Sequence, residues 1–150
     1  MRATLHTDGG ARGNPGPAGI GIVLTDESGR TLSAAGRYLG EVTNNVAEYQ
    51  ALIAGLEAAQ TAGVRHLTVH ADSELVVKQM NGQYRVKNEG LKPLHARATA
   101  LSRGFESVKF VHVRRSQNSK ADALCNEAMD ARADVGHGLA SSADDQQTLF

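Results

Sequence analysis

The chain is predicted to be an α/β domain: a five-stranded mixed sheet, three antiparallel strands followed by parallel ones, flanked by helices. Three observations carry that prediction. Residues 18 to 25 (AGIGIVLT) alternate Ile20, Ile22 and Leu24, the period-two pattern of a strand packed on one face. Residues 43 to 62 place Val46, Tyr49, Ile53 and Leu56 at helical spacing. A short strand-like run, residues 65 to 71, follows that helix, so the helix is a crossover and the strand should lie parallel to the first.

The remaining elements follow in order. Residues 2 to 8 read as the first strand, and the Gly/Pro-rich turn GGARGNPGP separates it from the second. After the turn signal Asp26-Glu27-Ser28-Gly29, residues 30 to 39 resume as a third strand and complete an antiparallel meander. In the long helix, Ala51, Ala54, Gly55, Ala58 and Ala59 are small enough to bring it close to a sheet, and Gly63 ends it. Residues 73 to 80 and 89 to 103 are helical by pattern, 106 to 113 (ESVKFVHV) form a strand, and 118 to 131 form a last helix. The domain is therefore expected over residues 1 to 131. Residues 132 to 150 read as a flexible tail: beyond Arg132 they hold mainly Gly, Ser, Ala, Asp and Gln, with almost no apolar periodicity until the last two positions.

A length of 150 residues with 41% hydrophobic content suits one domain around one core. No apolar run approaches the ~20 residues that span a bilayer, and the N-terminus lacks a signal-type apolar segment, so a soluble, cytoplasmic protein that does not enter membranes is expected. The lone cysteine, Cys125, excludes an internal disulfide and a thiolate zinc site, and reads as a small buried side chain. The formal net charge is zero, but it is unevenly spread. Residues 78 to 120 carry ten Lys and Arg against Glu89 and Glu106, a local excess of eight positive charges that fits either a solvated face or a surface for phosphates.

Asp8 ends the predicted first strand and Asp72 the fourth, so parallel pairing brings both carboxylates to one edge of the sheet, where ligand sites form in α/β proteins. Two anions at contact distance raise each other's pKa unless a proton or cation lies between them. Oxygen-only ligands favour magnesium or manganese. Glu48 sits at the margin of the helical apolar stripe, within reach of Asp8. Each acid also has an ordinary reading. Asn45-x-x-Glu48 fits a capping box, Asp72 fits the N-cap of the next helix, and Asp122 fits favourable first-turn charge on the last one.

Four motifs occur together: Asp8-Gly9-Gly10-Ala11-Arg12-Gly13-Asn14-Pro15-Gly16, Thr43-Asn44-Asn45-Val46-Ala47-Glu48, Asp72-Ser73-Glu74-Leu75-Val76 and Asn118-x-x-Ala121-Asp122. In this order and on these element types they resemble the type 1 ribonucleases H, over about residues 1 to 131. The resemblance implies a ribonuclease H-like fold and a monomeric endonuclease that hydrolyses the RNA strand of RNA/DNA hybrids. It makes Asp8, Glu48, Asp72 and Asp122 the ligands of two magnesium ions, which manganese can replace, flanking the scissile phosphate about 4 Å apart. The implied products carry 5′-phosphate and 3′-hydroxyl ends. Telling RNA from DNA requires reading the 2′-hydroxyl in a shallow minor groove, for which Gly9, Gly10, Arg12, Asn14, Asn44, Asn45 and Gln79 are the candidates. Asn14 could instead serve only the turn before Pro15.

The chain departs from the common family pattern in two places. The loop Arg114 to Lys120 has no histidine before the last carboxylate, which makes Arg115 the candidate for that phosphate-facing role and leaves His112, in the strand, structural. The link from Met80 to Glu89 is too short for the extra basic helix of some relatives, so substrate grip falls to Lys78, Arg85, Lys87 and the arginine loop. A non-catalytic binding module of the same shape, or a DNA-directed transposase or resolvase with a related site, are the competing readings; the intact carboxylates disfavour the first and the Thr43-Asn44-Asn45 motif the second. Finally, Gln146-Gln147-Thr148-Leu149-Phe150 resembles the peptides by which bacterial replication proteins dock on a sliding clamp, with Gln146, Leu149 and Phe150 as contacts.

Overall fold

The computed structural model describes residues 1–139. Strands β1 (Arg2–Ala11), β2 (Gly16–Asp26) and β3 (Thr31–Val42) form the antiparallel meander, followed by helix α1 (Asn44–Thr61) and strand β4 (His66–Ala71). Then come α2 (Glu74–Met80), α3 (Lys92–Ser102), β5 (Ser107–His112), a 3-10 turn (Arg115–Gln117), α4 (Ser119–Ala131) and a short β6 (Val135–His137). The sheet order is β5-β4-β1-β2-β3-β6, with β1, β4 and β5 parallel and the other pairs antiparallel.

The sheet has six strands, not the predicted five, and the sixth falls inside the segment read as a tail. Its three residues pair Val135 with Gly36, Gly136 with Ala35 and His137 with Ala34. Three residues around a glycine carry no periodicity to detect, and β3 supplies the pairing partner that local sequence cannot show. An ion pair between Arg37 and Asp134, 3.5 Å apart, ties β3 to the chain just before β6.

The core lies between the sheet and α1. Leu5, Ile20, Ile22, Leu24, Leu67 and Val69 pack beneath Tyr49, Leu52 and Leu56, all buried. Complete burial of one such aliphatic side chain contributes about 1.5–3 kcal/mol. Thr43 caps α1 by accepting the Val46 N–H at 3.2 Å, so the helix starts one residue later than predicted and Asn45 is not its cap. Likewise Ser73, not Asp72, caps α2.

Helix α4 covers the opposite face over β2 and β3. A side chain at Gly21 would run into the carbonyl oxygen of Ala121, so the backbone-to-backbone approach that seats α4 depends on that glycine. Asn118 anchors the start of α4 to β1 by donating its side-chain N–H to the Thr7 carbonyl at 2.8 Å. Between Met80 and Lys92 the chain forms turns and loop without a helix. No helix among the described residues is long and apolar enough to cross a membrane.

Candidate active site

Parallel pairing sets the site. The β1–β4 register ends at Thr7 opposite Ala71, so the next residues, Asp8 and Asp72, emerge side by side. The β4–β5 register pairs Ala71 with His112 and brings the arginine loop to the same end. Glu48 enters from α1 and accepts the Gly9 N–H at 2.5 Å. One carboxylate oxygen from each of Asp8, Glu48 and Asp72 lies within 4.8 Å of the others. Asp122, in the first turn of α4, lies beside Asp8 in the same cleft, and Arg115 Nη2 lies 3.7 Å from Asp122 Oδ1. All four acids line one cleft of about 640 Å³.

The electrostatics of this cluster are unfavourable without a counter-charge. Burial, then the charges of Asp72 and Glu48, push the Asp8 carboxyl up to about 9. Burial and Asp72 likewise push Glu48 up to about 8, although the Gly9 amide, the Ser73 hydroxyl and Arg115 pull the other way. Three converging oxygens that cannot all stay charged together are a fitting donor set for a hard divalent cation. The capping-box reading of Glu48 is thereby corrected: its side chain serves Gly9 across the cleft, not the start of its own helix.

Gly9, Gly10, Arg12, Asn44 and Asn45 also line the cleft, as does Arg115. Asn44 Oδ1 accepts the Ala11 N–H at 2.7 Å, and Asn14 Oδ1 accepts the Asn44 N–H at 3.0 Å. The two asparagines fasten the Gly-rich loop to the start of α1, with Asn14 exposed on that loop. Arg12 is held by Asp130 at 2.7 Å.

Gln79 is the clear correction. It is 6% exposed, lies outside the cleft lining and accepts the Tyr49 hydroxyl at 2.5 Å, so it ties α2 to α1 in the interior. Its place on the buried face of α2 follows from contact with α1, which the sequence does not display. His112 moves the other way: assigned to the strand alone, it is exposed and lines the cleft. The available signal was its position opposite the residue before Asp72. Cys125 is buried as expected, and that burial pushes its thiol up to about 12. Gln146, Leu149 and Phe150 lie outside the described residues.

Comparison with known proteins identifies the family. A family model described as reverse transcriptase-like matches residues 6–128. The ribonuclease H of Lachnoclostridium phytofermentans is 34% identical over 149 residues, spanning 87% of this chain and 93% of the relative. The chain belongs to the ribonuclease H family. Other ribonuclease H relatives are longer than the chain. The bifunctional protein Rv2228c of Mycobacterium tuberculosis is 45% identical over 134 residues, or 89% of this chain but 37% of its own length. For the ribonuclease HI of Halobacterium salinarum the identity is 43% over 129 residues, 86% of this chain and 65% of the relative. Thus the chain spans about a third to two thirds of those two relatives.

Solved ribonuclease H structures superimpose closely. The N-terminal ribonuclease H domain of Rv2228c gives a TM-score of 0.85 at 43% identity, covering 87% of this chain and 100% of the other. LC11-RNase H1, solved in complex with an RNA/DNA hybrid, gives 0.82 at 48% identity, with 87% and 98% covered.

Proposed function

We propose that the chain is an endoribonuclease that hydrolyses the RNA strand of RNA/DNA hybrids, using divalent cations held by Asp8, Glu48, Asp72 and Asp122. The observation that carries this reading is the convergence of Asp8, Glu48 and Asp72 oxygens within 4.8 Å at the floor of an open cleft. Magnesium bound there, as two ions with manganese as the substitute, would activate the attacking water and stabilise the departing sugar oxygen, leaving 5′-phosphate and 3′-hydroxyl ends.

The protein's own groups position the substrate. The Gly9–Arg12 backbone, with Asn44 and Asn45, forms the wall that meets the minor groove, where short side chains permit close approach to a 2′-hydroxyl. Glu48, fixed by the Gly9 amide, stays aimed at the scissile region without an ordering cost at binding. Arg115, beside Asp122 on the exposed loop, would face the phosphate. With no helix between α2 and α3, Lys78, Arg85 and Lys87 provide the remaining grip, which fits a branch lacking the basic protrusion and carrying arginine in place of the loop histidine. Support for the substrate class comes from the hybrid bound by LC11-RNase H1.

The test is incubation with labelled RNA/DNA hybrid, RNA/RNA and DNA/DNA, with and without magnesium, beside the Asp8→Asn variant. Cleavage confined to the RNA of the hybrid, dependent on metal and lost in the variant, is expected. Hybrid cleavage near the wild-type rate in Asp8→Asn would sink the assignment.

The QQTLF terminus supports a second, independent reading: docking on a sliding clamp through Gln146, Leu149 and Phe150. Calorimetry with the full chain and with a chain ending at Ala143 decides it; equal binding, or none in either, refutes docking.

A further inference from the structure

Two residues before Asp8 on β1, and two before Asp72 on β4, the parallel register pairs His6 directly with His70. Alternation along the strands turns both rings to the face opposite Leu5, Val69 and α1. His6 Nε2 and His70 Nδ1 are 3.3 Å apart, and the rings meet edge to face at 77°. Both side chains are half-buried, and neither belongs to the carboxylate cleft. A separate cavity of about 270 Å³ opens beside His6, bounded by Thr25 and the turn from Ser116 into α4.

Two imidazole nitrogens this close share either a proton or a metal ion. With metal–nitrogen bonds of about 2.0–2.1 Å and tetrahedral angles, two ligand nitrogens stand roughly 3.3–3.4 Å apart, which is the separation found here. Backbone pairing makes His6 and His70 direct neighbours on adjacent strands, and the χ angles of their short side chains then bring the ring nitrogens to that distance. The cavity beside His6 has room for the waters that would fill the other coordination positions.

We propose that His6 and His70 form a two-imidazole site for a borderline transition-metal cation of the zinc class, distinct from the oxygen-only carboxylate cluster. Imidazole selects such ions over magnesium, so the two sites sort metals by ligand chemistry. An ion held by both histidines cross-links β1 to β4, the strands that present Asp8 and Asp72, and therefore stabilises the fold on binding. Lys120 lines the same cavity as His6, so its charge opposes that of the ion.

Zinc titration of the full chain in excess magnesium, read by calorimetry and by the rise in Tm, tests the site. Zinc held by the carboxylates contributes equally to wild type and to a histidine variant, so the difference between them reads the histidine pair. Binding in His70→Gln and in His6→Gln is expected to be roughly tenfold weaker than in wild type, with the rise in Tm lost. Lys120→Gln should bind severalfold more tightly. Isotherms that are the same in wild type and both histidine variants overturn the proposal. Should those variants fail to fold, copper(II) electron paramagnetic resonance on the wild-type chain replaces them. Nitrogen hyperfine splitting from two imidazoles supports the site, and a spectrum of oxygen ligation alone overturns it.

Discussion

Glu48 and Gly9 are joined by a 2.5 Å hydrogen bond that locks α1 to β1 and, through the same atoms, aims a carboxylate at Asp8 and Asp72. The contact is possible only because position 9 has no side chain. A Cβ there would overlap the Ala47 carbonyl oxygen and stand 2.6 Å from the Glu48 nitrogen.

Gly9→Ala is therefore expected to destabilise the fold by about 1–3 kcal/mol, the usual cost of overpacking. Gly10→Ala provides the control, since nothing lies within 4 Å of an added Cβ at that position. Chemical denaturation of both variants checks the contrast, and equal stabilities would mean that α1 does not press on Gly9.

Asp8 and Glu48 make the metal-free protein sensitive to pH. Their folded carboxyls are held at about 9 and about 8, above unfolded values of 3.8 and 4.5. Between those limits the folded state binds more protons than the unfolded state, so stability falls as pH rises. In chelator, the Tm should drop from pH 5 to pH 8, and Asp8→Asn should flatten that slope while remaining folded. A slope as steep in the variant as in wild type would contradict the origin assigned to it. Added magnesium should raise the Tm at pH 8 in wild type.

Arg115→Ala should slow turnover more than it weakens hybrid binding. Its guanidinium lies 3.7 Å from Asp122 on an exposed loop, and in the proposed role it would act on a departing phosphate late in the cycle. Steady-state kinetics separate the two effects: a fallen kcat with a nearly constant KM is expected, and an unchanged kcat returns Arg115 to a surface role.

Tyr49→Phe should cost about 1–3 kcal/mol, because it leaves the buried Gln79 oxygen without its donor. KM for the hybrid should stay at the wild-type value, since Gln79 does not line the cleft. A raised KM with unchanged stability would restore Gln79 as a substrate contact.

The local sequence determined the element types, the meander, the crossover helix and the meeting of Asp8 with Asp72. These follow from short-range patterns, namely period-two strands, a period-3.6 helix and the parallel geometry of a crossover, which adjacent residues encode between themselves. Tertiary structure decided the rest. Whether Glu48 capped its own helix or crossed to Gly9, and whether Gln79 met substrate or Tyr49, depended on partners more than 25 residues away in sequence. His112 shows the same division, brought into the cleft by pairing with Ala71. Strand β6 pairs with β3 about a hundred residues earlier, and so short a segment takes its conformation from the edge it completes.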